Sequence, residues 1–97
     1  MAYSLIIAQA AEDDIRQAFF WYEDKKEQLG TTFEQHITHA IASIQDNPLK
    51  NQVRYGGTRV FFLKKFPFGI HFKVTGNDIL IVAVFHTSLS PDKWKKR

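Results

Sequence analysis

Apolar and polar positions change their spacing twice along the chain, and each change predicts a different element. Residues 3–8 (YSLIIA) are a short apolar run with the length and β-branched content of a strand. The apolar positions then recur every three or four residues, which predicts a helix from about residue 10 to about residue 28. Leu29 and Gly30 follow as a left-handed helix stop. The apolar face of this helix comprises Ala11, Ile15, Ala18, Phe19 and Tyr22.

A second amphipathic helix follows at once. Thr31 and Glu34 have the spacing of a capping box, with Thr31 as the N-cap residue. The helix ends at Asn47 and Pro48, because the residue before a proline is disfavoured in the helical region. The short link between the two helices predicts an antiparallel helical hairpin. The apolar stripe of the second helix is formed by Phe33, Ile37, Ala40, Ile41 and Ile44.

Residues 58–85 predict three further strands. The first spans about residues 58–65, the second about residues 68–75 and the third residues 79–85. The third is apolar on both faces, as in a central strand. Residues 49–57, before these strands, are a polar connection that ends in a Gly-Gly turn. The second strand alternates, with Ile70, Phe72 and Val74 on one face and His71, Lys73 and Thr75 on the other.

These elements predict one α+β domain over residues 1–97, in the order β-α-α-β-β-β. Short turns make the last three strands an antiparallel meander, which the first strand joins. The helical hairpin packs on one face of this antiparallel sheet, because only the sheet is large enough to cover its apolar stripes. The other face stays open, with apolar and cationic side chains interleaved on it. For the first meander strand, the spacing leaves open whether Arg59 and Phe61 or Val60 and Phe62 face solvent.

Composition and charge narrow the class of protein. The 97 residues include no cysteine, which excludes a disulfide framework and a cysteine-ligated zinc site. No run approaches the ~20 apolar residues of a membrane span, and the first residues lack the basic start of a signal peptide, so we expect a cytoplasmic protein. The net charge of +3 combines −5 in residues 1–48 with +8 in residues 49–97. This basic half favours an anionic partner: nucleic acid, the ribosome or an acidic protein.

Two motifs in the second half of the chain form a recognisable combination. One is a basic pair before F-P-[FY]-G-I, here Lys64 and Lys65 followed by FPFGI. The other is a strand that ends in His86 and is followed by a tail containing Pro91 and Trp94. In this order they resemble the RelE/ParE superfamily of toxins, and most closely its ParE-like, plasmid stabilization branch. The resemblance covers essentially the whole chain and implies a RelE/ParE-like fold and a toxin neutralised by a cognate antitoxin.

One position departs from the pattern of that superfamily. Its tail usually reads H-x-x-R-x-P-x-x-W, and Leu89 stands where the arginine is expected. The resemblance implies that this arginine falls in the cationic active site of the ribosome-dependent members. It also implies that ParE-like members act by stoichiometric interference with DNA gyrase rather than by chemistry of their own. Leu89 therefore favours gyrase inhibition, and it leaves a degenerate, non-toxic member open as well.

The rival function is that of a RelE-like, ribosome-dependent mRNA endonuclease without a metal. Such an enzyme needs a base for a ribose 2′-hydroxyl, cations for the phosphate and an acid for the leaving oxygen. The set is incomplete, because no tyrosine follows the last strand and Tyr55 precedes the meander. We expect His71 to be an exposed histidine and His86 to hydrogen-bond the tail backbone. The candidate catalytic residues are Arg59, Lys64, Lys65, His71, Lys73 and His86.

The open sheet face and the tail are the expected docking surface for an antitoxin or a target. Trp94 is expected to pack the tail against the domain over an exposed sheet edge. His36 and His39 lie three residues apart, but no third ligand completes a metal site, so we predict neither a metal nor another cofactor. A homodimer and a toxin–antitoxin hetero-oligomer both stay open. The candidate binding residues are Arg59, Phe61, Lys64, Lys65, His71, Lys73, Lys93 and Trp94.

Overall fold

The structure is a computed structural model that describes residues 3–95. Its strands are β1 (Ser4–Ile7), β2 (Val53–Tyr55), β3 (Thr58–Phe62), β4 (Phe68–Thr75) and β5 (Asp78–His86). Its helices are α1 (Gln9–Lys25), α2 (Leu29–Asp46) and the one-turn α3 (Pro91–Trp94), and a 3-10 turn at Pro48–Lys50 follows α2. Across residues 3–95, no helix combines the length and the apolar character that crossing a bilayer requires.

The sheet has the strand order β1-β5-β4-β3-β2. The predicted α+β class, with a helical hairpin on one face and an antiparallel meander after it, is confirmed. The sheet is nevertheless mixed rather than antiparallel throughout, because β1 pairs with β5 in parallel. Parallel neighbours need a long crossover connection, and the helical hairpin with strands β2–β4 supplies it.

Strand β2 was not predicted, because residues 49–57 were interpreted as a polar connection. The backbone of Gly56 and Gly57 has φ angles of 47° and 76°, in the left-handed region that a two-residue hairpin turn requires. This turn pairs Tyr55 with Thr58 and adds β2 to the edge of the sheet. Strand β3 in turn ends at Phe62 rather than at Lys65. The chain leaves the sheet there for a tight turn in which the Phe68 amide donates to the Phe66 carbonyl.

The helical hairpin and one face of the sheet share a single core. The predicted apolar stripe of α2 is confirmed, with Phe33, Ile37, Ala40 and Ile44 buried and Ile41 half-buried against the same core. The sheet contributes Ile70, Phe72, Ile79, Ile81 and Val84. At one end of this core, Phe33 lies among aromatic rings, with ring centroids 5.3 Å from Tyr22, 5.3 Å from Phe66 and 5.2 Å from Phe68. These contacts fix the hairpin on the sheet.

The junction between α1 and α2 differs from the predicted one. Helix α1 ends at Lys25, and the left-handed residue is Gln28 (φ 70°), not Gly30. Gly30 lies inside the first turn of α2. A glycine is required there because the two helices approach so closely that a Cβ atom would lie 2.6 Å from the Phe19 carbonyl oxygen. The predicted capping box is also wrong. The Glu23 carboxylate instead accepts hydrogen bonds from the amides of Gln28 (2.9 Å) and Gly30 (3.0 Å).

Replacing Glu23 by alanine is expected to lower the free energy of unfolding by about 1–2 kcal/mol, because it removes the acceptor of two amides at the start of α2. Urea unfolding followed by circular dichroism measures the change. Glu27→Ala is the matched control, since Glu27 is an exposed carboxylate in the same junction, and we expect its effect to stay within about 0.5 kcal/mol. Equal losses in the two variants would contradict the capping role.

Candidate functional site

The sheet face that points away from the helices is called the open face. Cross-strand pairing places Thr58, Val60 and Phe62 of β3 beside Lys73, His71 and Gly69 of β4 on this face. His71 in turn pairs with Ala83 of β5, where the register shifts because β5 holds one extra residue, Val82. The predicted placement of His71 and Lys73 opposite the core is therefore confirmed. The question left open for β3 is also answered, since Val60 and Phe62 belong to the open face.

His71 is buried although it lies on the open face. Its exposed fraction is 1%, so the prediction of an exposed histidine is wrong. Its Nδ1 atom is hydrogen-bonded to the Tyr55 hydroxyl at 2.8 Å. The rings of Phe85 and Trp94 pack on it in edge-to-face contacts, with centroid distances of 4.9 and 4.8 Å. Burial lowers the pKa of His71 to about 4, against a weaker opposing effect of the Asp14 carboxylate, so the imidazole is neutral at neutral pH.

Tyr55 and Trp94 are the two aromatic residues that cover His71. Tyr55 was not predicted to belong to the site, and the Gly-Gly turn after it was the signal that could have placed it beside β3 and β4. The predicted packing of the tail by Trp94 is confirmed, but the ring lies on the open face, not over a sheet edge. Its centroid is 5.5 Å from that of Tyr55. The tail therefore closes over the middle of the site.

A cavity of about 410 Å³ lies beside this aromatic cluster on the open face. Lys73 and Lys95 stand at its walls with the hydroxyl-bearing residues Tyr55 and Thr58. Among the described residues that line it, none carries a carboxylate. Cationic and hydroxyl donors without a carboxylate match an anionic group, such as a phosphate or an acidic side chain. The remaining lining residues are Gly56, Val82, Ala83 and Trp94.

The other predicted cations do not join this cavity. Lys64 and Lys65 are exposed in the β3–β4 loop, beyond Phe68, and about 16 Å of strand separate Phe68 from Lys73. Arg59 lies on the helix-covered side of β3, where its guanidinium donates to the Asn51 carbonyl at 2.5 Å. The predicted basic site is thus divided between two ends and two faces of the sheet.

Three more predicted site residues do not line the cavity beside His71. Phe61 is half-buried against the core on the helix-covered face. His86 is exposed at the end of β5, where its Nδ1 accepts from the Ser88 amide at 3.0 Å, as expected for a histidine that bonds the tail backbone. Lys93 is exposed on α3. The tail cations Lys96 and Arg97 lie outside the described residues.

A second concavity, of about 550 Å³, separates α1 from the end of β5. Its walls are mainly apolar, and the half-buried Leu89 contributes to them together with Trp21, Tyr22 and Phe68. Asp14 lies on its rim and accepts a hydrogen bond from the Val84 amide at 3.0 Å, just beyond the extra residue of β5. Leu89 therefore belongs to the helix side of the sheet's end, not to the His71 cluster.

The two histidines of α2 have different surroundings. The ring of His36 packs edge-to-face on Phe66 at a centroid distance of 5.2 Å, and His39 is exposed. In the part of the chain that the structure describes, no three His, Asp or Glu side chains gather as metal ligands.

Comparisons with known proteins agree with this architecture. The sequence profile of the family described as ParE toxin of type II toxin-antitoxin system, parDE, matches residues 5–90. A chain of the chromosomal ParDE toxin–antitoxin system of P. aeruginosa has a similar structure, with a TM-score of 0.77 and 21% identity over 88% of this chain and 96% of that one. A chain of a RelBE-type toxin–antitoxin complex of Mycobacterium tuberculosis has a TM-score of 0.59 and 14% identity over 89% and 99% of the two chains. No curated protein sequence matches this chain.

Proposed function

Because this chain belongs to the ParE toxin family of type II toxin–antitoxin systems, we propose that it binds DNA gyrase in a stoichiometric complex and that a cognate antitoxin neutralises it. The chain is the toxin component of such a system, and the proposal concerns its target and its mode of action. It acts by occupying the target rather than by cleaving a bond.

The observation that carries this proposal is that neither candidate histidine is placed to transfer a proton to or from a substrate bound at the cations. His71 is neutral, buried and held by Tyr55 and Trp94, so it is out of reach of a substrate hydroxyl. A general base must lie within hydrogen-bond distance of the proton that it removes. His86 lies at the end of β5 and its Nδ1 is occupied by Ser88, while Lys64 and Lys65 lie at the other end of β4 from Lys73. This arrangement favours binding over catalysis.

The open face is the surface that we assign to the target. On this face, Lys73 and Lys95 line the cavity of about 410 Å³ beside the aromatic pair of Tyr55 and Trp94. Aromatic side chains such as tyrosine and tryptophan are enriched at the centres of protein interfaces, and polar and charged residues surround them at the rim. The antitoxin proposal draws on the ParDE and RelBE systems to which the similar structures belong. An antitoxin that covers the same face blocks the target directly.

A supercoiling assay with purified gyrase tests this proposal. We expect the purified toxin to inhibit supercoiling at a molar excess, and the absence of inhibition at high excess would overturn the proposal. Lys73→Glu reverses the charge at the cavity and is expected to weaken inhibition by about tenfold or more. Lys26→Glu is the matched control, because Lys26 is an exposed lysine on the helical hairpin, and inhibition should persist in that variant.

One specific observation favours the rival, a ribosome-dependent mRNA endonuclease. Tyr55 lies next to His71, so the structure brings a tyrosine to the site although none follows the last strand in the sequence. The cavity beside this pair is lined by Lys73 and Lys95. Primer extension on translated mRNA after induction separates the two functions, because only the endonuclease produces cuts in register with codons. In that case His71→Ala and Lys73→Ala would abolish the cuts. A degenerate member, by contrast, would leave growth unaffected on induction.

A further inference from the structure

We propose that the concavity between α1 and the end of β5, called the aromatic groove, binds a small aromatic amine in its protonated form. The groove has a volume of about 550 Å³, within the range of about 300–1,000 Å³ that is typical of small-molecule sites. This inference goes beyond the proposed function, which assigns the target to the open face. The aromatic walls of the groove are Trp21, Tyr22, Phe68, Phe85 and His86.

Three separate parts of the chain form the walls of the groove. Helix α1 supplies Trp21 and Tyr22, whose rings meet edge-to-face at a centroid distance of 5.1 Å. The ring centroid of Phe68, at the start of β4, lies 6.1 Å from that of Tyr22 and 5.2 Å from that of His86. The half-buried Leu89, after β5, adds an aliphatic side chain. An aromatic ligand suits such walls, because rings pack against one another in edge-to-face and offset contacts.

Asp14 is the one carboxylate among the described residues that line the groove, and no lysine or arginine accompanies it there. Its Oδ2 atom accepts a hydrogen bond from the Val84 amide at 3.0 Å, which holds the carboxylate on the rim. A carboxylate beside apolar walls attracts an ammonium group more strongly than it would in open water, because the lower local dielectric strengthens the charge pair. The polar group that suits this site is therefore a cation.

The charges around the groove also favour a cationic ligand. Helix α1 carries five carboxylates against two cations over Gln9–Lys25, a net charge of −3. Across the groove, His86 adds no positive charge, because its Nδ1 accepts a hydrogen bond from the Ser88 amide and therefore carries no proton. Lys64 and Lys65 precede the aromatic residues of the β3–β4 loop but do not line the groove. An acidic wall raises the local concentration of a cation relative to that of an anion.

The ring of Trp21 already accepts a cation from within this chain. The Lys25 ammonium lies 4.8 Å from its ring centroid, in a cation–π contact. Lys25 itself does not line the groove, and Trp21 remains 58% exposed. Tryptophan is the aromatic side chain that attracts an ammonium group most strongly. Aromatic rings together with one carboxylate therefore select a protonated amine over a neutral or acidic ligand of the same shape.

The test titrates phenethylamine, which is protonated at neutral pH like a lysine side chain, into the ¹⁵N-labelled full chain. The chain has two tryptophans, of which Trp21 lines the groove and Trp94 the cavity of the open face. We expect the indole N–H signal of Trp21 to shift saturably and that of Trp94 to stay in place. Phenethyl alcohol has the same shape without the charge, and its affinity should be about tenfold lower. Equal affinity for the two probes, no saturable shift of the Trp21 signal, or an equal shift of the Trp94 signal would overturn the proposal.

Replacing Asp14 by asparagine tests the role of the carboxylate. The variant loses the negative charge but keeps a side-chain oxygen for the Val84 amide, so we expect it to fold and its affinity for phenethylamine to fall about tenfold. Asp46→Asn makes the same change at an exposed position of α2 and should leave the affinity unchanged. Equal affinities of the two variants would contradict the role of Asp14.

Leu89→Arg tests the same site from the segment after β5. It adds a competing cation to the wall of the groove and should abolish the saturable shift of the Trp21 signal. Leu49→Arg is the matched control, because Leu49 is 55% exposed and does not line the groove. If Leu89→Arg binds phenethylamine as tightly as this control does, the amine does not occupy the groove and the proposal fails. The experiment requires neither gyrase nor antitoxin, so its outcome is independent of the supercoiling assay.

Discussion

Replacing Phe33 by alanine is expected to lower the free energy of unfolding by about 3–5 kcal/mol. The ring is fully buried at the point where α2, α1 and the β3–β4 loop meet, in contact with the rings of Tyr22, Phe66 and Phe68. The substitution removes apolar contacts and leaves a cavity that the surrounding rings fill only in part. Domains of this size are stable by about 5–15 kcal/mol, so the variant is expected to be largely unfolded at low urea concentrations.

Urea unfolding, followed by circular dichroism, measures this loss. Phe20→Ala is the matched control, because Phe20 belongs to the same hairpin but is 61% exposed, and its loss should stay within about 0.5 kcal/mol. A loss of less than about 1 kcal/mol for Phe33→Ala would contradict the packing described for the aromatic cluster. The control also distinguishes the loss of core packing from a general loss of aromatic surface.

Lowering the pH from 7 to 4 is expected to reduce the free energy of unfolding by about 3 kcal/mol through His71 alone. Burial lowers the pKa of His71 to about 4 in the folded protein, from an ordinary value of 6.5. The unfolded chain therefore binds this proton at a higher pH than the folded chain does. The stabilisation is fully present above pH 6.5, and it is lost as the pH falls from 6.5 toward 4.

Urea unfolding at a series of pH values measures the slope of stability against pH. His71→Phe replaces the titrating ring by an apolar one of similar size and should flatten the slope between pH 6.5 and 4. His39→Gln removes an exposed histidine of α2 instead, and the slope should match that of the unmodified chain. If the slope of His71→Phe equals that of the unmodified chain, His71 is accessible to protons in the folded state and the burial argument fails.

The local patterns were sufficient to predict the two long helices and the alternation of β4. The helical stripe of Phe33, Ile37 and Ile44 depends on spacing alone, because residues three and four apart share a helix face whatever packs on it. The junction between the helices was predicted wrongly for the opposite reason. Gly30 matches a left-handed stop by composition, but it is required for the close approach of α2 to Phe19, which no local pattern reveals.

The candidate site was likewise predicted only in part. Periodicity placed His71 and Lys73 on the open face, but it also led to the prediction that His71 is exposed. The alternation of a strand determines to which side a residue points and says nothing of what covers that side. Tyr55 and Trp94, which cover it, come from 16 residues before and 23 residues after His71 in the sequence.

The sequence by itself determined the α+β class, the two amphipathic helices, the charge asymmetry and the resemblance to RelE/ParE toxins, because each of these depends on neighbouring residues or on a short motif. Only the tertiary structure decided that β1 runs parallel to β5 and that β2 forms an edge strand next to β3. It also decided that the predicted cations lie at different ends and on different faces of the sheet. These features depend on pairing between distant segments, in which a register or a face is selected by the packing of the whole core. The burial of His71 belongs to the second group, since it requires three strands and the tail together.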